Sequence, residues 1–208
     1  MGTGSRILRN LSLAVAVGLL AGLSSAIFLH LLDAATRVRL AHPALIWFLP
    51  MGGLAAGLLY HRYGRDAGRG HNLILEEIHD PKQVVPLRMA PMVLLGTLAT
   101  HLFGGAAGRE GAAVQMSGSL ADQLSLRFCS DARERRMLLV AGMGAGFGAA
   151  MGAPFAGAIF GMEVVSVVGI TPFAVLESLI ASFVGFFTSV ALRAPHSIYA
   201  HFPLEEFR

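Results

Sequence analysis

The sequence predicts an all-α polytopic membrane protein built from tilted and re-entrant helices. Of its 208 residues 54% are hydrophobic and only 14% charged, and the mean hydropathy is +0.62. A soluble domain carries about 25% charged residues. Five apolar blocks, at 11–32, 40–60, 89–108, 137–162 and 173–192, are each long enough to cross about 30 Å of hydrocarbon. The 25 glycines follow no collagen period, and close helix packing in lipid is the use that fits them.

The first block follows Arg6 and Arg9, the charge pattern of a signal peptide. Its 22 residues exceed the roughly 7–15 of a signal-peptide core, and a second span follows, so it reads as the first membrane helix. The third and fourth blocks are interrupted by glycines or by Pro154 and need not be straight. Segments 72–78 and 112–128 are too short or too polar to cross. Broken or re-entrant helices of this kind are tolerated only where they line a protein-enclosed cavity.

The arginines set the orientation. Arg6 and Arg9, then Arg62, Arg65 and Arg69, then Arg127, Arg133, Arg135 and Arg136 all fall inside if the N-terminus is cytoplasmic. Segment 131–136 is then a short cytoplasmic connection in a plasma (bacterial inner) membrane protein. Arg37 and Arg39, with Asp33 in a short outer loop, are exceptions. The net charge of +3 and pI of 9.6 do not indicate nucleic acid, because the arginines cluster between apolar runs without interleaved aromatics. The single Cys129 excludes an internal disulfide and a cysteine metal cluster. No residue pattern calls for a cofactor or a metal.

Small residues recur at four-residue spacing in Gly18/Gly22, Gly53/Gly57, Gly142/Gly146, Gly144/Gly148/Gly152 and Gly157/Gly161. The Gly/Ala-rich run 141–161 predicts a helix packed on several sides and hardly exposed to lipid.

Within this apolar chain, Gly108-Arg109-Glu110-Gly111 sets two charges between glycines. A charge at the bilayer centre costs about 2.5–3.5 kcal/mol by insertion scales, so such residues point to an ion or proton pathway. A helix starting near Gly111 would aim its free N–H groups and positive dipole end at Glu110. A dissolved anion offering the same charge can displace that carboxylate, and so can protonation. The alternative is a structural Arg-Glu pair that fastens two helices, and the residues alone leave both open.

Two further constellations invite a role. Gly68-Arg69-Gly70-His71-Asn72 leads into a short helix whose N–H groups would face an anion, with Arg69 adding charge and Asn72 capping. An ordinary cytoplasmic helix start fits it as well. Gly152-Ala153-Pro154 breaks or starts a helix that runs to Glu163, which is either part of a proton path or a boundary residue. His101 lies nine residues before Glu110 and stands as a cavity-lining candidate, with a hydrogen-bonded structural role as its alternative.

These residues together resemble the CLC chloride channels and proton-coupled anion antiporters. The match joins G-R-E-G with Val114-Gln115, the Ala/Gly helix with A-P-F-A-G, and an apolar helix ending at Glu163. It implies the first half of a CLC-type inverted-repeat fold over 1–192, with 193–208 as a polar tail or interrupted inter-repeat connection. It implies transmembrane transport of chloride or fluoride, with protons as possible co-substrates and no enzymatic reaction. Family members are homodimers with one pore per subunit.

By this resemblance Glu110 is the gating and proton-carrying glutamate. Arg109, Gly111 and Ala112 stand at the helix start that faces the anion. The inner-site signature G-S-G-I-P falls on Gly68-Arg69-Gly70-His71-Asn72, where Arg69 replaces serine, or His71 does after a local shift. Val164 stands where many proton-coupled members carry a second glutamate. Both departures, and the run His71-Asn72-Leu73-Ile74, resemble the fluoride-exporting branch.

The family's second half, with its Gly-x-Phe-x-Pro helix start and tyrosine, is not found in the sequence. A fragment, or a chain completed by a partner, is therefore expected. Two competing functions are a non-transporting membrane assembly subunit and an intramembrane serine hydrolase using Ser117, Ser119 and His101. The second lacks a Gly-x-Ser-x-Gly elbow and an acid partner.

Overall fold

The computed structural model describes residues 3–129, 131–166 and 172–196, and every regular element in them is helical. α1 (Thr3–Ala41) is followed by a 3-10 turn at Pro43–Phe48 and α2 (Leu49–Leu59). A π turn at Tyr60–Gly64 and a 3-10 turn at Arg65–Arg69 then lead into α3 (His71–His79). The rest are α4 (Met89–Leu102), α5 (Arg109–Phe128), α6 (Ala132–Met151), α7 (Pro154–Ser166) and α8 (Pro172–Ala191).

The helix limits depart from the apolar blocks for identifiable reasons. α1 runs 39 residues, roughly 58 Å at 1.5 Å per residue, well beyond the hydrocarbon thickness. Asp33, Arg37 and Arg39 therefore lie in its last turns and not in a loop. Arg37 pairs with Asp33 at 2.7 Å, one helical turn away, which lets the charges stay in helix. The block 40–60 is not one straight helix, because Pro43 and Pro50 cannot donate and restart the chain in separate turns. The run 141–161 likewise divides. Gly152 takes a left-handed conformation (φ +69°) that ends α6, and Pro154 starts α7.

α6 is the centre of the bundle, with an almost unbroken buried run from Leu138 to Ala150. Its contact with α7 is backbone on backbone. A Cβ on Gly144 would sit 2.6 Å from the Gly157 carbonyl oxygen, and one on Gly157 2.5 Å from that of Gly144. α1 meets α8 in the same manner, with Gly18 against the Ala181 carbonyl at 2.6 Å. The serines of α8 reach across these seams, Ser178 donating to the Ala158 carbonyl at 3.1 Å and Ser182 to that of Pro154 at 2.8 Å. Such interhelical bonds average about 0.6 kcal/mol in lipid. Gly53 and Gly57 differ, because nothing lies within 4 Å of a Cβ at either. Their helix α2 exposes Met51, Leu54 and Leu58.

Arg9, Arg69 and Arg135 come together at one end of the bundle, Arg69 lining a cavity with Glu77 and Gln83, which Arg135 bonds. Arg9 pairs with Glu134, and Arg135 bridges three elements. Its guanidinium donates to Asp122 of α5 at 2.7 and 2.8 Å, to Glu77 of α3 at 3.1 Å and to the Gln83 carbonyl at 2.8 Å. Asp122 also accepts from the Val85 amide at 2.7 Å, and Glu77 from the amides of Lys82 and Gln83. The α3–α4 connection is thus tied to α5 and α6 through two carboxylates that are 0% and 2% exposed. Segment 131–136 is not a free connection. Asp131 caps α6 by accepting from the Glu134 amide at 2.8 Å, and the arginines sit in its first turns.

Two consequences are measurable by unfolding in detergent. Gly157→Ala should destabilise the protein, whereas Gly53→Ala and Gly57→Ala should be neutral or stabilising by up to about 1 kcal/mol, the helix-propensity gain. Arg135→Met should cost about 3–5 kcal/mol by leaving buried carboxylates uncompensated. Adding Glu77→Gln and Asp122→Asn should recover part of that loss; no recovery would mean that the arginine acts by packing alone.

Candidate functional site

α5 starts two residues earlier than the sequence reading placed it, at Arg109, with Gly108 as its cap residue and no side chain capping it. Glu110 is therefore in the first helical turn, where a negative charge meets the positive dipole end and the unbonded amides. Its carboxylate folds back over that end, with Oε2 3.4 Å from an ideal Cβ position on Gly108. Glu110 is half-buried, and Ala112 and Ala113 are buried behind it. Glycine at 108 leaves that space open, and Gly111 and Ala112, which follow Glu110, line a cavity.

Another helix start without a side-chain cap, that of α3, meets α5 further along. Gly70 (φ +58°) is the cap residue of α3, again with no side-chain cap. A Cβ there would lie 3.1 Å from Oε1 of Gln115, so the Gly70 turn rests on the α5 side chain six positions past Arg109. His71 is half-buried and edge-on to Phe160 at 6.5 Å between ring centroids, and Phe160 stacks on Phe147 at 4.9 Å. Asn72 is exposed and is not the cap. Arg69 is also exposed and engages Glu76 through both carboxylate oxygens, which neutralises it on the outer side of α3. Gly70 and His71 thus join the α5 neighbourhood, while Arg69 lines another cavity with Glu76 and Glu77, and Asn72 is exposed.

A cavity of about 450 Å³ lies before α5. Gly108, Gly111, Ala112 and Gln115 line it from α5, Thr97 and Thr100 from α4, and Tyr60 from the π turn. The Thr100 hydroxyl is committed to the Gly96 carbonyl at 2.8 Å. Arg109 lines a different cavity, of about 370 Å³, with Asp33, Thr36, His101 and His196. His101 is held by its Nδ1–H donating to the Thr97 carbonyl at 2.9 Å, so it shares a cavity with Arg109. Glu163 is exposed near the end of α7, and Val164 falls where side chains are not described. Ser119 donates to the Pro86 carbonyl at 2.9 Å and Ser117 is buried beside Gly146; neither lines the two cavities.

Sequence reasoning missed four features that matter to this arrangement. Tyr60 was counted only as the end of an apolar block, and Gln115 only as a motif letter. The Glu77–Asp122–Arg135 bridge joins residues too far apart in the chain for any spacing rule. Glu177 did carry a signal, a lone carboxylate inside the apolar block 173–192, and it is 5% exposed.

Comparison with known proteins agrees with this geometry. A family model described as voltage gated chloride channel matches residues 52–207. A chloride/fluoride channel protein of Pseudomonas syringae pv. tomato is 55% identical over 157 residues, which are 76% of this chain and 35% of that protein. The H(+)/Cl(-) exchange transporter ClcA of Cronobacter sakazakii is 32% identical over 167 residues, 74% of this chain and 36% of that one. The crystal structure of a CLC-type fluoride/proton antiporter superposes with a TM-score of 0.86 at 31% identity, over 100% of this chain and 54% of that one. A slow cyanobacterial Cl-/H+ antiporter gives 0.72 at 26% identity, over 90% and 47%. The chain spans about a third of the length of these curated relatives and about half of the solved structures. On the family match and the fold together, the chain belongs to the voltage gated chloride channel (CLC) family of integral membrane proteins.

Proposed function

We propose that this chain carries the gate-bearing half of an anion pathway, with Glu110 as the gate and fluoride as the preferred anion over chloride. The observation that carries the proposal is the uncapped start of α5, with the Glu110 carboxylate folded over it and a cavity in front. An anion entering the cavity competes with that carboxylate for the Gly111 and Ala112 amides. Protonated Glu110 no longer competes, which couples anion passage to pH. Helix amides and dipoles hold an anion more weakly than a full positive charge does, so release stays fast. The pairing of Arg69 with Glu76, on a cavity other than the one at the start of α5, supports this reading.

Gly70 and His71, beside Gln115, form the inner end of the path, and Arg109 acts in the neighbouring cavity. The preference for fluoride rests on the two relatives whose names include that ion, one at 55% identity and one at a TM-score of 0.86. Residues 1–192 form the CLC-like half, and 193–208 the tail or connection to a second half. A homodimer with its N-termini in the cytoplasm of a plasma membrane completes the reading, and the clustering of Arg9, Arg69 and Arg135 at one end supports that orientation.

The test is anion flux from liposomes holding the protein expressed from its native gene. Fluoride should leave roughly tenfold faster than chloride, about 1.4 kcal/mol of discrimination. Glu110→Gln should keep the flux and flatten its pH dependence. An unchanged pH response in this variant contradicts the gate, and absence of any flux favours an assembly subunit.

A further inference from the structure

Glu177 presents a physical problem that the anion pathway does not use. It sits on α8 inside an apolar stretch and is 5% exposed. A carboxylate in such a place needs a cation or several donors. Among the described residues it forms no ion pair, and it shares a cavity wall with Asn10 of α1. The other acid beside it, Glu134, is held by Arg9 and adds repulsion. Asn10 is itself incomplete, because its Oδ1 is buried without a donor. Glu177 and the Asn10 side-chain oxygen are therefore two acceptors on one cavity wall, the second of them without a donor.

That junction opens into a cavity of about 350 Å³, separate from both cavities around α5. Arg6 and Arg133 stand at its rim, exposed and with no acidic partner among the described residues. Leu11 and Met137 supply apolar wall. The lining thus pairs a buried site for a positive donor with two outer sites for an anion, beside a surface suited to hydrocarbon. Asp131, on the same wall, is occupied as the cap of α6.

We propose that this cavity binds a zwitterionic ammonium–phosphate headgroup, that of a phosphatidylethanolamine lipid. The primary ammonium donates to Glu177 and to Oδ1 of Asn10, and Arg6 and Arg133 hold the phosphate. The acyl chains leave along Leu11 and Met137 into the bilayer. A primary ammonium has three N–H donors for two acceptors, whereas a trimethylammonium has none, so the site discriminates between headgroups by donor count. Occupancy would fasten α1 to α8 at the end of the bundle where Arg9 meets Glu134.

The proposal is independent of anion flux and is tested by lipid binding to the whole protein in detergent, read by native mass spectrometry. Phosphatidylethanolamine should bind at least about tenfold more tightly than phosphatidylcholine, with the N-methyl and N,N-dimethyl lipids falling in order between them. Glu177→Gln should bring the four within about twofold, and Glu177→Asp should restore much of the preference. Should Glu177→Gln fail to fold, the N-methyl series on the unaltered protein decides by itself. Soluble glycerophosphoethanolamine should compete only at much higher concentration; competition at equal concentration would assign the site to a free metabolite and overturn the lipid. Equal binding of all four lipids, or tighter binding of phosphatidylglycerol, would overturn the ammonium site. Infrared detection of a protonated Glu177 carboxyl without lipid preference would overturn it as well.

Discussion

A helix that begins inside a membrane protein must find acceptors for its first-turn amides, and the placement of α5 and α3 follows from that requirement. At the bundle's end, α6 meets it with Asp131, a short acidic side chain that accepts from the Glu134 amide. α4 meets it through the Pro86 carbonyl, which takes the Met89 amide at 2.9 Å. α5 and α3 instead start at glycines, Gly108 and Gly70, with no side-chain cap. An unmet donor in a low-dielectric interior costs about 1–3 kcal/mol. In the function proposed here, the acceptors that exchange at α5 are the Glu110 carboxylate and a dissolved anion.

Holding such a start in place demands a stiff frame. Glycine supplies it along α6, α7, α1 and α8 by letting backbones touch, so that the helices cannot slide without collision. The Arg135 bridge supplies it at the bundle's end, where α3, α5 and the α3–α4 connection share one guanidinium. Because the Gly70 turn rests on Gln115, the bridge also sets how closely the starts of α3 and α5 approach. A buried charged cluster is a weak source of stability and a good source of registration, and registration is what this site needs.

Much of this was legible in the chain. The hydropathy gave the helical membrane class, the glycine spacing gave α6 and its neighbours, and the G-R-E-G turn gave the position of Glu110. Helix limits were less legible, because charged residues such as Arg37 stay helical when an ion pair one turn away supports them. The Gly53/Gly57 pair shows the limit of small-residue spacing. It has the same pattern as Gly18/Gly22, yet meets nothing within 4 Å among the described residues. Arg69 shows the limit of charge counting, since it and its partner Glu76 line a different cavity from the one at the start of α5. Tyr60 was invisible because a π turn redirects it, and no hydropathy pattern announces one.

The most direct test is amide spectroscopy of the protein in nanodiscs, following the Gly111 and Ala112 N–H resonances as fluoride and then chloride are added. Saturable downfield shifts at these two amides, stronger in Glu110→Gln, are the expected result. Shifts that leave both amides untouched while moving others would contradict an anion held at the start of α5.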